Sequence, residues 1–442
     1  MFKKIRFTSE YLYYYLKKNL VYIILSTLIG SLLFVERNFL ISQYNRYFTN
    51  QKTIGLEGLY TINTLPLEIT QLISYGLTTT NNNSHITPSS IVKSVEVSEN
   101  NLVYTFTIND NFYWHDDQKL TSYDINLRIN GIKTEPKNKN TLVVTLDNNY
   151  SPLFNILTRP LFLGKSLIGL GEYQVINSTY QDGFFKTLTI QSSKTYQKIS
   201  YHFYPNENDI NNAYKLGEVD EIQTTALASE FSAWPKTKIN PEITTNSYIA
   251  IFLNTEKINN KQARQALAYA TPKTDDKNER CLGPISPSSW AYNSQIKEYN
   301  FNITRAKELF DKNRIEKINL LVTDRKLLPI AEQVKESWSQ NLKINVTVTS
   351  NSNSLDNSDA ILTFAPIPSD PDQYFFWHST QTKTNLSQLN NSRIDKLLEE
   401  GRRVYDQQER RDIYLDFQRF LLEESPAIFL KFPTTYFITR VK

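Results

Sequence analysis

The chain has few of the residues that build disulfide frameworks or metal clusters. Its 442 residues include a single cysteine, Cys281, and only four histidines. One cysteine excludes a disulfide within the chain and a metal site held by several cysteines, and the histidines are scattered along the sequence. The composition therefore indicates neither a disulfide-stabilised scaffold nor a zinc protein, and we expect no cofactor.

Motifs of common enzymes are missing as well. The sequence contains no G-x-S-x-G, H-E-x-x-H or phosphate-binding-loop pattern. The segment His115-Asp116-Asp117 offers a base and two carboxylates, but consecutive residues in a turn point in different directions, and no nucleophile motif lies nearby. We therefore expect no enzymatic activity.

A basic surface of the kind that binds nucleic acids is also absent. Lys and Arg total 49 against 45 Asp and Glu, but residues 1–50 carry much of the basic excess. The remainder of the chain is nearly balanced, with a net charge of about −1, which excludes the electrostatic footprint of a nucleic-acid-binding domain. At 40% hydrophobic and 13% aromatic residues, the chain has enough apolar side chains to bury cores in two or three domains.

A long uncharged run lies near the N-terminus, from Leu20 to Val35. As a helix it spans about 24 Å, short of the hydrocarbon core of about 30 Å unless Lys17 and Lys18 snorkel to the interface. A cleaved signal peptide is the alternative, but no small-x-small pattern precedes Glu36. We favour an uncleaved anchor, with residues 1–19 in the cytoplasm and the rest of the chain outside.

Residues 102–124, LVYTFTINDNFYWHDDQKLTSYD, form the most distinctive stretch of the chain. Tyr104 and Phe106 alternate with threonines as in a half-buried strand, and Trp114 follows at a position typical of a core residue. The stretch resembles a signature of the extracellular solute-binding proteins of the peptide and nickel ABC-transporter class, family 5. In that signature a strand leads into W/F-x-D/N-G-x-x-L-T-A-x-D, and Asp117 here replaces the usual glycine.

Further motifs that resemble this family follow in the family's order. They are residues 209–222 (DINNAYKLGEVDEI), 253–255 (LNT), 263–270 (ARQALAYA), 370–375 (DPDQYF) and 391–398 (NSRIDKLL). The resemblance implies an α/β, two-lobed, periplasmic-binding-protein-like fold of class II, cluster C, preceded here by a transmembrane helix. Relatives have a helical subdomain after the Leu-Thr-x-x-Asp segment, and we expect it to be trimmed because apolar residues alternate at period two after Asp124.

The chain divides into a strand-rich part and a part in which strands and helices alternate, as in α/β domains. We assign residues 45–243 to lobe I, completed by residues 428–442, and residues 244–427 to lobe II. The chain is then expected to cross between the lobes near residues 244–247 and again near residues 425–431.

Peptide-binding relatives often hold the α-amino group of the ligand with an Asp three residues before the Asp of Asp-Pro. Counting back from Asp370 gives Ile367, so this carboxylate is missing. The candidate ligand-binding residues lie at the hinge strand and around the Asp-Pro element: Asn246, Tyr248, Asp370, Asp372, Tyr374 and Trp377. The alternative role of Asp370 and Asp372 is to form a turn. The alternative role of the other four residues is to pack beneath the cleft.

The resemblance implies a membrane-anchored, extracytoplasmic solute-binding protein of an ABC transporter. Such a protein is expected to be a monomer that encloses a peptide or another small solute between its lobes and delivers it to permease subunits. The alternative is a binding-protein fold reused as a surface receptor, a chaperone for exported chains or a scaffold.

Overall fold

The computed structural model describes residues 13–35, 51–80, 86–127, 129–225, 227, 229–350 and 358–441. The apolar run predicted as an anchor forms helix α1, Leu20–Val35. Among the helices of these residues, none combines the length and apolar character that a membrane crossing needs. Most of the predicted cytoplasmic tail lies outside the described residues.

The strands fall into a large mixed sheet, a smaller inserted sheet, a short hairpin and a second mixed sheet. In chain order they are β1 Gln51–Glu57, β2 Thr78–Thr80, β3 Ile86–Pro88, β4 Val92–Val97, β5 Val103–Ile108, β6 Ile132–Asn138, β7 Thr141–Leu146, β8 Tyr173–Gln181, β9 Phe184–Ser192, β10 Lys198–Tyr204, β11 Glu221–Thr224, β12 Thr237–Ile243, β13 Ser247–Leu253, β14 Lys317–Val322, β15 Asn345–Thr349, β16 Ala360–Pro366, β17 Ala427–Lys431 and β18 Thr434–Arg440.

Most of the helices belong to the second half of the chain. After α1 they are α2 Leu67–Ile73, α3 Leu153–Ile156, α4 Glu207–Leu216, α5 Lys261–Tyr269, α6 Ile303–Phe310, α7 Leu328–Leu342, α8 Tyr374–Trp377, α9 Ser392–Arg403 and α10 Gln407–Glu424. Side-chain caps begin several of them: Asn260 accepts hydrogen bonds from the first turn of α5, and Asn391 does so for α9.

Lobe I is built on a seven-stranded sheet of order β12-β18-β11-β1-β10-β9-β8. Strand β1 runs parallel to both β10 and β11, and α4 packs over these three strands. The close approach requires a small residue in β1: a Cβ on Gly55 would lie 3.1 Å from side-chain atoms of Ile210 and Ile222.

The stretch with the family signature lies in a four-stranded sheet inserted into lobe I, of order β4-β5-β7-β6. Tyr104 and Phe106 are buried on one face of β5, and Trp114 is 2% exposed in the same core. This confirms the prediction that Trp114 is a core residue. Asp117 has a φ of 65°, a left-handed conformation that glycine adopts freely and aspartate tolerates.

The signature does not continue into a long helix. Ser122–Asp124 form a short 3₁₀ turn closed by a capping box, in which Thr121 and Asp124 hydrogen-bond each other. The next regular element is β6, which begins at Ile132. This agrees with the expectation of a trimmed helical subdomain.

Lobe II is built on a five-stranded sheet of order β15-β14-β16-β13-β17. Helices α5, α6 and α7 cover one face of this sheet, where Trp338 is fully buried. Helices α9 and α10 cover the other face, where Tyr414 and Phe417 are fully buried. The alternating strand and helix order thus yields a three-layer lobe.

The predicted lobe boundary at residue 428 is wrong by a few residues. Strand β17 pairs with β13 in lobe II, and only β18 returns to lobe I, between β11 and β12. The reason is burial: residues 427–430 are all buried, which suits a strand covered on both faces, whereas most of β18 is half-exposed. The second crossing therefore lies at Phe432 and Pro433.

The two crossings run side by side. Between β12 and β13 the chain passes through Thr244, Thr245 and Asn246. The amide of Thr244 donates a hydrogen bond to the carbonyl of Pro433 at 2.9 Å, and its hydroxyl lies 3.0 Å from that of Thr435. The connection between the lobes is thus a narrow pair of bonded segments.

Candidate functional site

A cavity of about 630 Å³ lies between the two lobes. Lobe I contributes short polar side chains and one aromatic ring, and lobe II contributes hydroxyl, amide and aromatic side chains together with one ion pair. The lining residues are Thr80, Ile86, Ser151, Phe154 and Asn155 from lobe I, and Thr245, Asn246, Ser286, Ser288, Ser289, Trp290, Ile367, Pro368, Ser369, Asp370, Tyr405, Gln407 and Arg410 from lobe II.

The hinge and the end of β16 form one wall of this cavity. The register pairs Ser247 with Pro366, so the chain segments beyond both strands lie beside each other. There the amide of Ile367 donates a hydrogen bond to the carbonyl of Asn246 at 2.7 Å. Ile367, at the position where peptide-binding relatives carry a carboxylate, is 8% exposed and brings an apolar side chain to the wall.

Asp370 borders the cavity but is neutralised within lobe II. Both of its oxygens accept hydrogen bonds from the Arg410 guanidinium, at 2.9 and 2.5 Å, and Arg410 Nε donates to the Gly401 carbonyl at 2.7 Å. Burial alone lowers the pKa of Arg410, but the hydrogen bonds and charge of Asp370 outweigh it and raise that pKa. The carboxylate therefore carries no uncompensated charge that a ligand ammonium needs.

Asp372 does not line the cavity, and its amide donates a hydrogen bond to Asp370 Oδ1 at 2.9 Å. It accepts hydrogen bonds from Arg402 Nε at 3.0 Å and from the Tyr374 amide at 3.1 Å. Burial raises its pKa even though Arg402 opposes this shift. Both Asp370 and Asp372 thus bond groups of lobe II. Their contacts fit a structural role in the turn better than a role in holding a ligand.

Tyr405 of lobe II forms a three-way bridge to lobe I. Its hydroxyl accepts hydrogen bonds from the Tyr104 hydroxyl and the Tyr150 amide, both at 3.1 Å, and donates to the Asn101 carbonyl at 3.3 Å. Tyr405 immediately precedes Asp406, the N-cap of α10. Its position is therefore fixed by the start of helix α10.

Further contacts join the lobes around the cavity. The Ser151 amide donates to the Arg402 carbonyl at 2.7 Å, and the Ser369 hydroxyl donates to Asn155 Oδ1 at 2.7 Å. Lys326 of lobe II forms an ion pair at 2.5 Å with Glu57, at the end of β1. The lobes thus meet directly at several points.

Two of the predicted ligand-binding residues are not at the site. Tyr248 is 2% exposed and packs against Phe429, with ring centroids 5.1 Å apart. Trp377 is fully buried and stacks on Phe252 at 5.6 Å. Side chains alternate along β13, so Tyr248 and Phe252 share the face that α9 and α10 cover. Both residues therefore pack in the core of lobe II rather than line the cavity.

Tyr374 is placed in a second cleft rather than in the cavity. Its ring lies between the imidazole of His378, at a centroid distance of 4.0 Å, and the guanidinium of Arg402, at 4.1 Å. Arg402 also lies 5.0 Å from the ring of Tyr150 in lobe I. This second cleft has a volume of about 730 Å³. Of the six predicted residues, Asn246 and Asp370 line the first cavity.

Sequence reasoning missed three aromatic residues of the site, Phe154, Trp290 and Tyr405. Phe154 lies in the short helix α3, whereas Trp290 lies in a serine-rich loop and Tyr405 between two helices. Aromatic residues in loops beside small polar residues are a usable signal, because binding residues are concentrated on loops held by a rigid scaffold.

No group of three or more His, Cys, Asp or Glu side chains that suits a metal ion is found in the described part of the chain. Cys281 is fully buried, and burial raises its thiol pKa to about 12. The chemical resources of the cavity are therefore neutral hydrogen-bonding groups, aromatic surface and a closed ion pair.

The fold has many counterparts among solved structures. NikZ from Campylobacter jejuni, solved in complex with Ni(L-His), has a TM-score of 0.74 at 19% identity over 88% of this chain and 94% of its own. DppA from Helicobacter pylori, solved with the peptide STSA, has a TM-score of 0.73 at 17% identity over 91% and 96%. At these identities the likeness establishes the two-lobed fold alone.

Sequence comparison gives the family. The probable D,D-dipeptide-binding periplasmic protein DdpA of Escherichia coli is 24% identical over 204 residues, 41% of this chain and 40% of DdpA, so the match spans less than half of either protein. The profile of the bacterial extracellular solute-binding proteins, family 5 Middle, matches residues 88–387. Because that match covers more than half of the chain, the protein belongs to the bacterial extracellular solute-binding proteins of family 5.

Proposed function

We propose that this protein is the solute-binding component of an ABC transporter. It binds a solute of the size of a short peptide in the cavity between Asn246, Trp290 and Phe154, and it passes that solute to permease subunits. The observation that carries the proposal is the cleft of about 630 Å³ between two lobes joined by a narrow hinge. Hinge closure around a ligand is how two-lobed binding proteins capture their solutes.

The size and lining of the cavity support this function. Pockets for small ligands usually enclose about 300–1,000 Å³ and combine apolar walls with a few oriented polar groups. The rings of Phe154, Trp290 and Tyr405 supply the apolar walls, and serine, threonine and asparagine side chains supply the polar groups. The tetrapeptide named for H. pylori DppA and the dipeptide named for E. coli DdpA are solutes in this size range.

We further propose that α1 holds the protein at the outer face of a membrane, with residues 1–19 in the cytoplasm. Leu20, Val21 and Tyr22 are 51%, 65% and 74% exposed, so the helix carries apolar side chains that the lobes do not cover. Exposed apolar surface of this kind favours contact with lipid. Lys17 and Lys18 precede it, where they can reach the charged headgroups.

The attachment is tested by membrane fractionation and intact-protein mass measurement of the chain expressed in bacteria. We expect an uncleaved mass and retention in membranes after an alkaline carbonate wash. Deletion of residues 1–45 is the comparison, and it is expected to release the lobes into the soluble fraction. A mature mass that begins after Val35 would show cleavage instead and overturn the anchor.

Solute binding is tested on the full chain in detergent micelles. Native mass spectrometry is expected to reveal a co-purified small molecule, and addition of its solute class is expected to raise the melting temperature. Small-angle scattering reports whether the lobes close further on binding. Absence of a bound molecule, together with no thermal shift for any solute class, would favour the alternative of a receptor, chaperone or scaffold.

A further inference from the structure

We infer that the solute of this cavity is an uncharged molecule rich in hydroxyl groups, of the class of a short oligosaccharide. The inference rests on the proposed function and narrows the class of solute. Its basis is the charge, the hydrogen-bonding groups and the main-chain bonding of the cavity wall.

The first argument is the charge of the wall. Among the described residues that line the cavity, the charged side chains are Asp370 and Arg410. They bind each other through two hydrogen bonds, and the side chains are 14% and 7% exposed. Enclosing an ammonium or carboxylate without an opposite charge is costly. A peptide with free termini brings one of each into the cavity, whereas a neutral solute brings none.

The second argument is the kind of polar group that the wall offers. Ser288, Ser289 and Thr245 present hydroxyls, and Asn246 presents an exposed amide. A hydroxyl both donates and accepts hydrogen bonds, and an amide has separate donor and acceptor ends. The hydroxyls of a sugar have the same dual capacity, so each can be satisfied from this wall without a net charge.

The third argument is the main chain of the lobe II wall. Extended peptides often bind by adding a strand to an exposed sheet edge. Strand β16 has neighbours on both sides, β13 and β14. Beyond it, the Ile367 amide is bonded to the Asn246 carbonyl, and Pro368 has no amide hydrogen. This segment therefore does not provide a ladder of main-chain donors to an extended peptide.

Trp290 supplies a platform for a sugar ring. Its carbonyl accepts a hydrogen bond from Arg411 Nε at 3.1 Å, and its ring packs against that of Tyr414 at a centroid distance of 6.5 Å. The ring is thus anchored to α10 while it also lines the cavity. An indole provides a large apolar face together with a polar N–H, which matches the apolar face and hydroxyl rim of a pyranose.

The test is isothermal titration of the full chain in a detergent without a sugar headgroup. The probes are neutral di-, tri- and tetrasaccharides, tetra-alanine with free termini, and N-acetyl-tetra-alanine amide. Native mass spectrometry of the protein from its expression host gives the mass of any co-purified solute. We expect saccharide binding and a neutral, hydroxyl-rich co-purified solute.

Variants locate the binding. Trp290→Ala is expected to weaken saccharide binding by about tenfold or more, as for a central aromatic anchor, and Asn246→Ala to weaken it severalfold. Asn300→Ala is the matched control, since Asn300 is exposed and outside the cavity lining, and it should leave the affinity unchanged.

The outcomes separate this inference from the proposed function. Binding of free tetra-alanine in preference to its blocked form would overturn the inference but leave solute binding intact. Equal binding of both peptides without saccharide binding would also overturn the inference and leave solute binding intact. A charged co-purified solute would have the same consequence. If no probe binds and no solute co-purifies, the proposed function fails together with the inference.

Discussion

Arg410 holds Asp370 through two parallel hydrogen bonds at the boundary between the core of lobe II and the cavity. The guanidinium also lies 5.5 Å from the ring of Trp290 and 5.4 Å from that of Tyr414. One side chain thus neutralises the carboxylate of the Asp-Pro element and lies against an aromatic residue that lines the cavity.

Arg410→Met is expected to destabilise the protein strongly, because it leaves the Asp370 carboxylate without its partner. Removing one member of a buried ion pair costs about 3–5 kcal/mol, and denaturant unfolding measures this loss. Arg419→Met is the matched control on the same helix, since Arg419 forms an exposed pair with Asp416 and should change stability by about 0.5 kcal/mol or less. Equal effects of the two variants would contradict the structural role of Arg410.

Tyr405→Phe is expected to weaken the contact between the lobes without unfolding either of them. The change removes the hydroxyl that bonds Tyr104, Tyr150 and Asn101, and a net loss of about 0.5–1.5 kcal/mol per hydrogen bond shifts the population towards an open arrangement.

Small-angle scattering is expected to show a larger radius of gyration for Tyr405→Phe, together with weaker solute binding. Tyr123→Phe serves as the control, because Tyr123 is 61% exposed. An unchanged scattering profile for Tyr405→Phe would show that this hydroxyl does not hold the lobes together.

Lys273 gives the protein a pH-dependent stability. Its ammonium donates to the carbonyls of Ala268 and Thr271, and burial, with a smaller effect of Arg280, lowers its pKa well below the usual 10.5. In the window between the lowered pKa and 10.5 the folded state binds fewer protons than the unfolded state. The free energy of unfolding therefore rises with pH through this window.

Lys273→Met removes this titration, so the stability of the wild type relative to the variant should increase as the pH approaches 10.5. Urea unfolding at a series of pH values measures the difference. Lys277→Met is the control, since Lys277 is exposed. A difference between wild type and Lys273→Met that is constant with pH would refute the shift.

Cys281 is expected to resist thiol reagents in the folded protein. The side chain is fully buried, its Sγ donates to the Gly283 carbonyl at 3.3 Å, and burial raises its pKa to about 12. The thiolate that reacts is therefore scarce and inaccessible. We expect slow labelling by a chromogenic disulfide reagent in buffer and rapid labelling in guanidinium chloride. Rapid labelling in buffer would show that lobe II opens around β17.

Local patterns were enough to predict several elements of the fold. The alternation around Tyr104 predicts a strand, and the structure has β5 there, Val103–Ile108. Ala263, Ala266, Leu267 and Ala270 recur at helical spacing, and the structure has α5 there, Lys261–Tyr269, with Ala270 as its C-cap. These elements depend on periodicity and caps within a short window, so the sequence contains the information that determines them.

Long-range relationships were not predictable in the same way. Tyr248 was assigned to the cavity because it lies at the hinge, but its direction depends on which face of β13 the distant helix α10 covers. Residues 427–430 form an apolar run without alternation, and such a run does not specify which sheet it joins. The residues around Trp290 in the sequence form no helix or strand, so no local pattern predicts its position. Only the folded chain places it in the same cavity lining as Asn246.

The place of β18 between β11 and β12 has a consequence for the order of folding. The seven-stranded sheet of lobe I contains strands from near residue 51 and from residues 434–440. Until the final strand is available, β11 and β12 lack the neighbour that joins them, and both present unpaired main-chain groups. Among the described strands β18 is synthesised last, so the sheet of lobe I is completed only once residues 434–440 are available.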